Sequence, residues 1–255
     1  MSGPNRTTTG SIGNQSVHIK LVLRVLVACE RSGRVRDAFR LFGHDAWSCD
    51  LVASDAMGPH IQGDALEAIT DRPWDLIIAH PPCTYLSRVN VAYRRAHPQL
   101  QAQAEAFALA LWQASCPRVC VENPIGSLWT ALGKPHQVIH PWWFGDPYTK
   151  ATCLWLRGLS RLSSTNGPDA AQSYPHVHVQ GPERGRRIRH RGVDDWWRWP
   201  RPEGVRSWNR VHFTSRMRSQ TFWGIALAMA EQWGGLASYP YQPADRPFAD
   251  RSSVL

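Results

Sequence analysis

Apolar positions fall into runs of two kinds along this chain, and their periods predict an alternation of strands and helices. Leu21 to Cys29 (LVLRVLVAC) is a nearly continuous, β-branched apolar run, as a strand buried on both faces requires. Glu30-Arg31-Ser32-Gly33 reads as the turn after it, and from Val35 to Phe42 apolar residues recur at helical spacing. Asp45 to Cys49 predicts a short second strand that ends at Asp50. Leu76 to Ala79 predicts another, introduced by Trp74-Asp75 and followed by His80-Pro81-Pro82-Cys83. The alanine-rich stretch from Gln99 to Ser115 predicts a helix, because alanine gives up no side-chain entropy there. Arg118 to Val121 predicts a strand ending at Glu122-Asn123-Pro124, and Thr149 to Arg157 a further strand. Ser219 to Trp233 (SQTFWGIALAMAEQW) reads as a closing helix.

Strands separated by turns and helices imply a parallel, doubly wound sheet, so the expected class is α/β and Rossmann-like. Such sheets bind ligands beyond the carboxyl ends of their strands. The segments 28–33, 80–83 and 122–124 all fall at such ends. From about Gly158 to Asn209 the periodicity fades into Pro, Gly, Arg, Trp and His. The organisation expected is a disordered leader over 1–17, a core over 18–157 and 211–238, an inserted segment over 158–210 and a tail over 239–255. No internal repeat is found.

Composition adds bounds. A chain of 255 residues, 43% of them hydrophobic, suits one α/β domain with a smaller appendage. Nothing approaches the roughly 18 consecutive apolar residues of a membrane span. The Ser/Thr/Gly/Asn-rich start lacks the apolar stretch of a signal peptide, so a cytosolic protein is expected. The six cysteines, at 29, 49, 83, 116, 120 and 153, form no CxxC pair, and free thiols are expected. No metal site is expected, since His176, His178 and His190 read as loop histidines.

The net charge of +9 suits a polyanion. Lysine occurs only at 20, 134 and 150, however, and an arginine excess of this kind also follows from a G+C-rich coding sequence. The position of the charge says more. Arg184, Arg186, Arg187, Arg189 and Arg191 cluster just before Trp196, Trp197 and Trp199. Arginines neutralise phosphates and read guanine edges, and indole rings stack on bases. The same residues also read as a solvated basic loop whose tryptophans cover the core.

Two segments carry candidate chemistry. In Pro81-Pro82-Cys83 the prolines stiffen the loop and fix where the cysteine points, as a nucleophile requires. Alone, the segment equally describes a buried cysteine after a proline turn. In Glu122-Asn123-Pro124 a carboxylate at a strand end can protonate or bind a ring nitrogen; alone, it is an ordinary Asn-Pro turn. A thiolate and a carboxylate in one crevice together meet the needs of attack on a pyrimidine.

With these residues the chain resembles the cytosine-C5 DNA methyltransferase family, in the short form of its phage-encoded members. That family pairs a Pro-Pro-Cys loop with a Glu-Asn-Val strand end, matched here in the same order by 81–83 and 122–124. The resemblance covers roughly 22–157 and 215–234. It implies S-adenosylmethionine as methyl donor and double-stranded DNA as substrate, with the target base flipped out of the helix. It implies Cys83 as the nucleophile at C6, Glu122 as the group that holds or protonates N3, and Lys150 as a second cation positioning Glu122 or the base. The family's glycine-rich motif is reduced here to Ala28-Cys29-Glu30-Arg31-Ser32-Gly33, where Ser32 and Gly33 admit the methionine part of the cofactor. Asp50, with Leu51, matches the acid on the ribose hydroxyls, and Gly63-Asp64 the contact to adenine. Pro81, Thr221 and Gly224, the last two in Thr221-Phe222-Trp223-Gly224-Ile225-Ala226, complete the implied cofactor pocket. Phe144 to Thr152 resembles the family's Tyr-Gly-x-Pro-Gln-x-Arg-x-Arg segment, with Lys150 near one arginine position and Thr152 in place of another. Pro82, Ser87, Asn123, Pro124 and Thr152 would line the base, and Arg184, Arg187, Arg189 and Trp197 would meet the DNA.

A monomer without an obligate protein partner or membrane association is expected, in the bacterial host cytoplasm if the gene is a phage's. Three other functions stay open. An amino-methyltransferase acting on adenine N6 or cytosine N4 also carries a Pro-Pro loop, ending in an aromatic residue, and Tyr85 is near. A C5 enzyme acting on RNA or a free nucleotide would need only a small recognition segment. A non-catalytic DNA-binding relative would tolerate the reduced glycine motif.

Overall fold

The computed structural model describes residues 22–165, 206–207 and 219–235. The expected leader, the tail and most of the inserted segment, with Arg184, Arg187, Arg189 and Trp197, lie outside the described residues.

The fold is α/β and Rossmann-like. In chain order the elements are β1 (Arg24–Ala28), α1 (Arg34–Leu41), β2 (Asp45–Asp50), β3 (His60–Gln62), α2 (Ala65–Asp71), β4 (Leu76–Ala79), α3 (Val91–Ala96), α4 (Pro98–Trp112), β5 (Val119–Pro124), α5 (Leu128–Ala131), β6 (Gln137–Ile139), β7 (Tyr148–Thr149), β8 (Thr152–Arg157), β9 (Arg206–Ser207) and α6 (Trp223–Gly234). Seven strands form one sheet in the order β3-β2-β1-β4-β5-β8-β6. The first five run parallel. The expectation of an all-parallel sheet is corrected at β8, which runs antiparallel to both β5 and β6. A hydrophobic run reads the same in either direction, so the sequence pattern carries no sign of this reversal.

Both faces of the sheet are covered, which is why β1 is apolar from Val25 to Ala28 and β4 throughout. Val25 and Val27 point to a core shared with α1 and α6, while Leu26 and Ala28 point to a second core under α2, α4 and α5. Val25, Leu26, Val27 and Ala28 are all fully buried. Leu162 is also buried in the first core, and Ser163 and Gln232 exchange two hydrogen bonds, so the chain just past β8 packs on the core.

Two element boundaries depart from the periodicity. The run from Thr149 to Arg157 is two strands: β7 pairs with β9, and β8 joins the main sheet, with Lys150-Ala151 between them. The closing helix begins at Trp223 and not at Ser219, because Phe222 is extended at ψ 142° and buries its ring in the core. Among the described residues no helix is long and apolar enough to cross a membrane.

Candidate active site

Two loops build the centre of the site. Pro81-Pro82-Cys83 follows β4, and Glu122-Asn123-Pro124 forms the end of the neighbouring β5. The extension of β5 through Pro124 comes from β8, which pairs Glu122 with Leu154, Asn123 with Cys153 and Pro124 with Thr152. The buried Asn123 amide donates to the Pro81 carbonyl at 2.7 Å. The Arg88 amide donates to the Ile125 carbonyl and the Ser127 amide to the Leu86 carbonyl, each at 2.8 Å. Beyond Cys83 the chain turns sharply, its carbonyl accepting from the amides of Leu86 and Ser87. Ser87, buried, caps the following 3-10 turn by accepting from the Val89 amide. These bonds lock the Cys83 loop to the strand end that carries Glu122.

Cys83 and Pro82 are exposed while Pro81 is buried. Glu122 is 15% exposed in its side chain and lies 3.0 Å from Nδ1 of His80, itself 9% exposed. Although the residue keeps solvent access, partial desolvation of its thiol by the surrounding groups pushes it above its ordinary range and the Glu122 charge pushes it further, while Lys150 opposes both. Burial would also raise the Glu122 carboxyl, but the hydrogen bond and charge of His80 and the charge of Lys150 outweigh it, and Glu122 lies below the usual carboxylate range. Cys83, Glu122 and Lys150 therefore share one electrostatic neighbourhood. The Lys150 ammonium also stands 5.8 Å above the Phe222 ring.

The second cluster lies at the end of β1. Cys29 is in the left-handed region at φ 59°, the only non-glycine residue there among those described, and Gly33 follows at φ 71°. A side chain on Gly33 would be strained by that φ and would run into the Arg36 guanidinium. Arg36 is fully buried and bonds to Ser48, Ser54 and the carbonyls of Ala56 and Met57, so it ties α1 to β2 and to the loop after it. Glu30 faces inward. Its carboxylate accepts from the amides of Val35 and Arg36 and from the Ser32 hydroxyl, capping α1 by a carboxylate from the preceding turn. Asp50 ends β2 and accepts from the Val52 amide, and Asp64 accepts from the Leu66 amide as the cap of α2. Burial drives the Cys29 thiol up to about 12, with Asp50, Cys49 and Asp64 adding to it, so both acids lie near the end of β1. Leu51 is 74% exposed just beyond Asp50.

The segments 144–146 and 221–224 are tied to each other, and Thr221 to the start of α1. The Thr221 carbonyl accepts from Arg34 at the start of α1. The Gly224 amide donates to Asp146, and a Cβ at Gly224 would overlap the Phe144 carbonyl oxygen, so this glycine lets α6 approach the 144–146 backbone. Thr152 is buried against β5.

The sequence pattern left His80, Asn123 as a loop tie, Gly126 and Arg36 without roles. His80 had one available signal, its place between a strand and the two prolines. Beside the Cys83 loop, Tyr85 and Tyr93 stack with ring centroids 5.4 Å apart, and Arg88 and Arg95 are exposed. Among the described residues no group of three or more metal-ligating side chains converges.

No family model and no curated protein matches the sequence. Among solved structures, the chain is similar to a protein assigned as a DNA modification methyltransferase encoded within an Escherichia coli prophage, at 15% identity over 52% of this chain and 46% of that one, with a TM-score of 0.35. It is also similar to an rRNA methylase from Escherichia coli, at 18% identity over 52% of this chain and 55% of that one, with a TM-score of 0.32. The chain thus spans about half the length of each. The fold assignment rests on the strand order itself.

Proposed function

We propose that this protein transfers a methyl group from S-adenosylmethionine to C5 of cytosine in DNA, with Cys83 as nucleophile and Glu122 facing N3. The observation that carries this reading is the locking of an exposed cysteine loop against a buried carboxylate on the adjacent strand end, with a lysine acting on both.

The chemistry suits that arrangement. C5 of cytosine is a poor nucleophile. Addition of the Cys83 thiolate to C6 moves the electron pair of the C5–C6 double bond toward N3, where a proton delivered through Glu122 takes it up. C5 then has enamine character and accepts the methyl group. A base, for which solvent water serves, takes the C5 proton, the double bond is restored as the thiolate is expelled, and N3 gives its proton back through Glu122. Because desolvation and Glu122 hold the thiol protonated at rest, its proton is given up to solvent as the base enters.

S-adenosylmethionine supplies an electrophilic methyl group. The end of β1 fits such a donor. The backbone at Ala28 to Gly33 turns through two left-handed residues, and Asp50 stands at the next strand end, suited to paired ribose hydroxyls. Asp64 follows on the adjacent strand end, suited to the adenine amine. Thr221, whose carbonyl accepts from Arg34, and Pro81, after β4, complete the pocket in this reading.

Duplex DNA is the substrate favoured by the surface around Cys83. Arg88 and Arg95 are exposed there beside the stacked Tyr85 and Tyr93, a mixture that meets phosphates and bases. Further reading of the DNA is assigned to the 158–210 segment, through Arg184, Arg187, Arg189 and Trp197.

The deciding experiment is incubation with duplex DNA containing 5-fluorocytosine. Fluorine cannot leave as a cation, so elimination stalls after methyl transfer and the base stays bonded to Cys83. Mass spectrometry of tryptic peptides should show the adduct on the peptide carrying Cys83. Methylation of ordinary DNA without a trapped adduct would count against the thiolate route and for transfer to an exocyclic amine.

A further inference from the structure

His80 lies at the end of β4, immediately before the two prolines. Its Nδ1 is 3.0 Å from Oε2 of Glu122, and both side chains are largely buried. Two bare acceptors at that separation would repel, so one proton sits between them. Nε2 is buried and has no hydrogen-bond partner among the described residues. The ring is faced by Glu30 from the turn after β1 and by Glu122 from β5. Cys83 follows on the same loop, and Lys150, between β7 and β8, acts on the same carboxylate. Glu122 lies below the usual carboxylate range, so it does not by itself keep a proton for N3.

We propose that His80 is a positioning residue that stores the proton Glu122 presents to N3, so that the pair, and not Glu122 alone, is the acid of the reaction. As the bond from Cys83 sulfur to C6 forms, the electron pair displaced from the C5–C6 double bond arrives at N3. N3 takes a proton from Glu122, and Glu122 takes one from Nδ1 of the His80 imidazolium, which becomes neutral. The negative charge of the thiolate and the positive charge of the imidazolium vanish together, and Glu122 ends as the carboxylate it was. When the thiolate is expelled, the proton returns along the same path.

The proposal rests on the cytosine-C5 reading, and its test separates the two. Single-turnover methyl transfer is measured against pH for wild type, His80→Asn, Glu122→Gln and the double variant. Asparagine keeps a donor within reach of Glu122 but has no proton to give up. His80→Asn should slow transfer at neutral pH by about 10²-fold, within the range general acid catalysis contributes. The descending limb of its pH profile should move to lower pH, because Glu122 then holds the proton alone. Binding of DNA and of S-adenosylmethionine should stay within about twofold, and His80→Asn should cost less than about threefold when added to Glu122→Gln. A His80→Asn profile of wild-type shape, or full additivity in the double variant, overturns the proposal while leaving the cytosine-C5 reading in place. An inactive wild type overturns both. If His80→Asn does not fold, ¹⁵N imidazole spectra of the wild type decide. Both ring nitrogens should carry a proton in the pH range in which transfer runs, and a neutral ring there, whichever nitrogen is bare, overturns the proposal.

Discussion

Gly126 and Leu86 touch across the two loops of the site: a Cβ on Gly126 would overlap the Leu86 carbonyl oxygen, which accepts a hydrogen bond from the Ser127 amide. The contact is backbone against backbone, so no side chain can swing aside to relieve it. Gly126→Ala should therefore push the Cys83 loop away from β5. The expected cost is about 1–3 kcal/mol in unfolding free energy, read from urea denaturation. Transfer should fall further than stability, on the order of 10²-fold, because small displacements of a reacting group are costly. A variant that unfolds like wild type and transfers normally would show that the two loops are not coupled.

The environment of Cys83 sets a signed prediction for its alkylation. Desolvation and the Glu122 charge favour the thiol, and Lys150 favours the thiolate. Iodoacetamide labelling at a fixed, mildly alkaline pH should speed up in Glu122→Gln and slow down in Lys150→Met, by a few fold each. Opposite signs would place the two charges elsewhere than around the sulfur.

His140 offers a pH test of the fold outside the site. It is buried beside Trp143 after β6, and burial drives its pKa down from 6.5 to about 4. The folded protein thus keeps it neutral where the unfolded chain protonates it. The stability linked to this group is complete above pH 6.5 and is lost as pH falls toward 4, to a total on the order of 3 kcal/mol. Urea unfolding at pH 7 and pH 4.5 should show a larger drop for wild type than for His140→Gln. Equal drops would mean that other groups govern the acid sensitivity.

The exposed arginines beside the Cys83 loop predict a salt effect. If Arg88 and Arg95 each meet a phosphate, replacing both with alanine should reduce the slope of log K against log salt by nearly 2, at roughly 0.9 per contact. Removing Arg184, Arg187 and Arg189 should reduce it separately. An unchanged slope in the first variant assigns phosphate binding to other residues. Affinity for S-adenosylmethionine should not change in either.

The sequence by itself determined most of the local elements and which candidate chemical groups stand at their ends. Continuous apolar runs mark β1 and β4, since strands covered on both faces have no polar side to show. The two prolines and the cysteine mark a stiff loop wherever they fold, and the strand ends at 28–33, 80–83 and 122–124 follow from where the apolar runs stop. Short elements such as β3 and β6 were beyond that reading, because three residues carry no period. Tertiary structure alone decided the rest. The antiparallel placement of β8 extends β5 through Glu122 to Pro124 and so holds the carboxylate beside Cys83, a pairing between residues about thirty positions apart in sequence. The turn of Glu30 inward to cap α1, the burial of Arg36 against the β2 loop and the contact of His80 with Glu122 arise in the same way. Each depends on which groups lose water together when the sheet closes, and hydration in the folded state is a property of neighbours in space, on which a residue's position along the chain is silent.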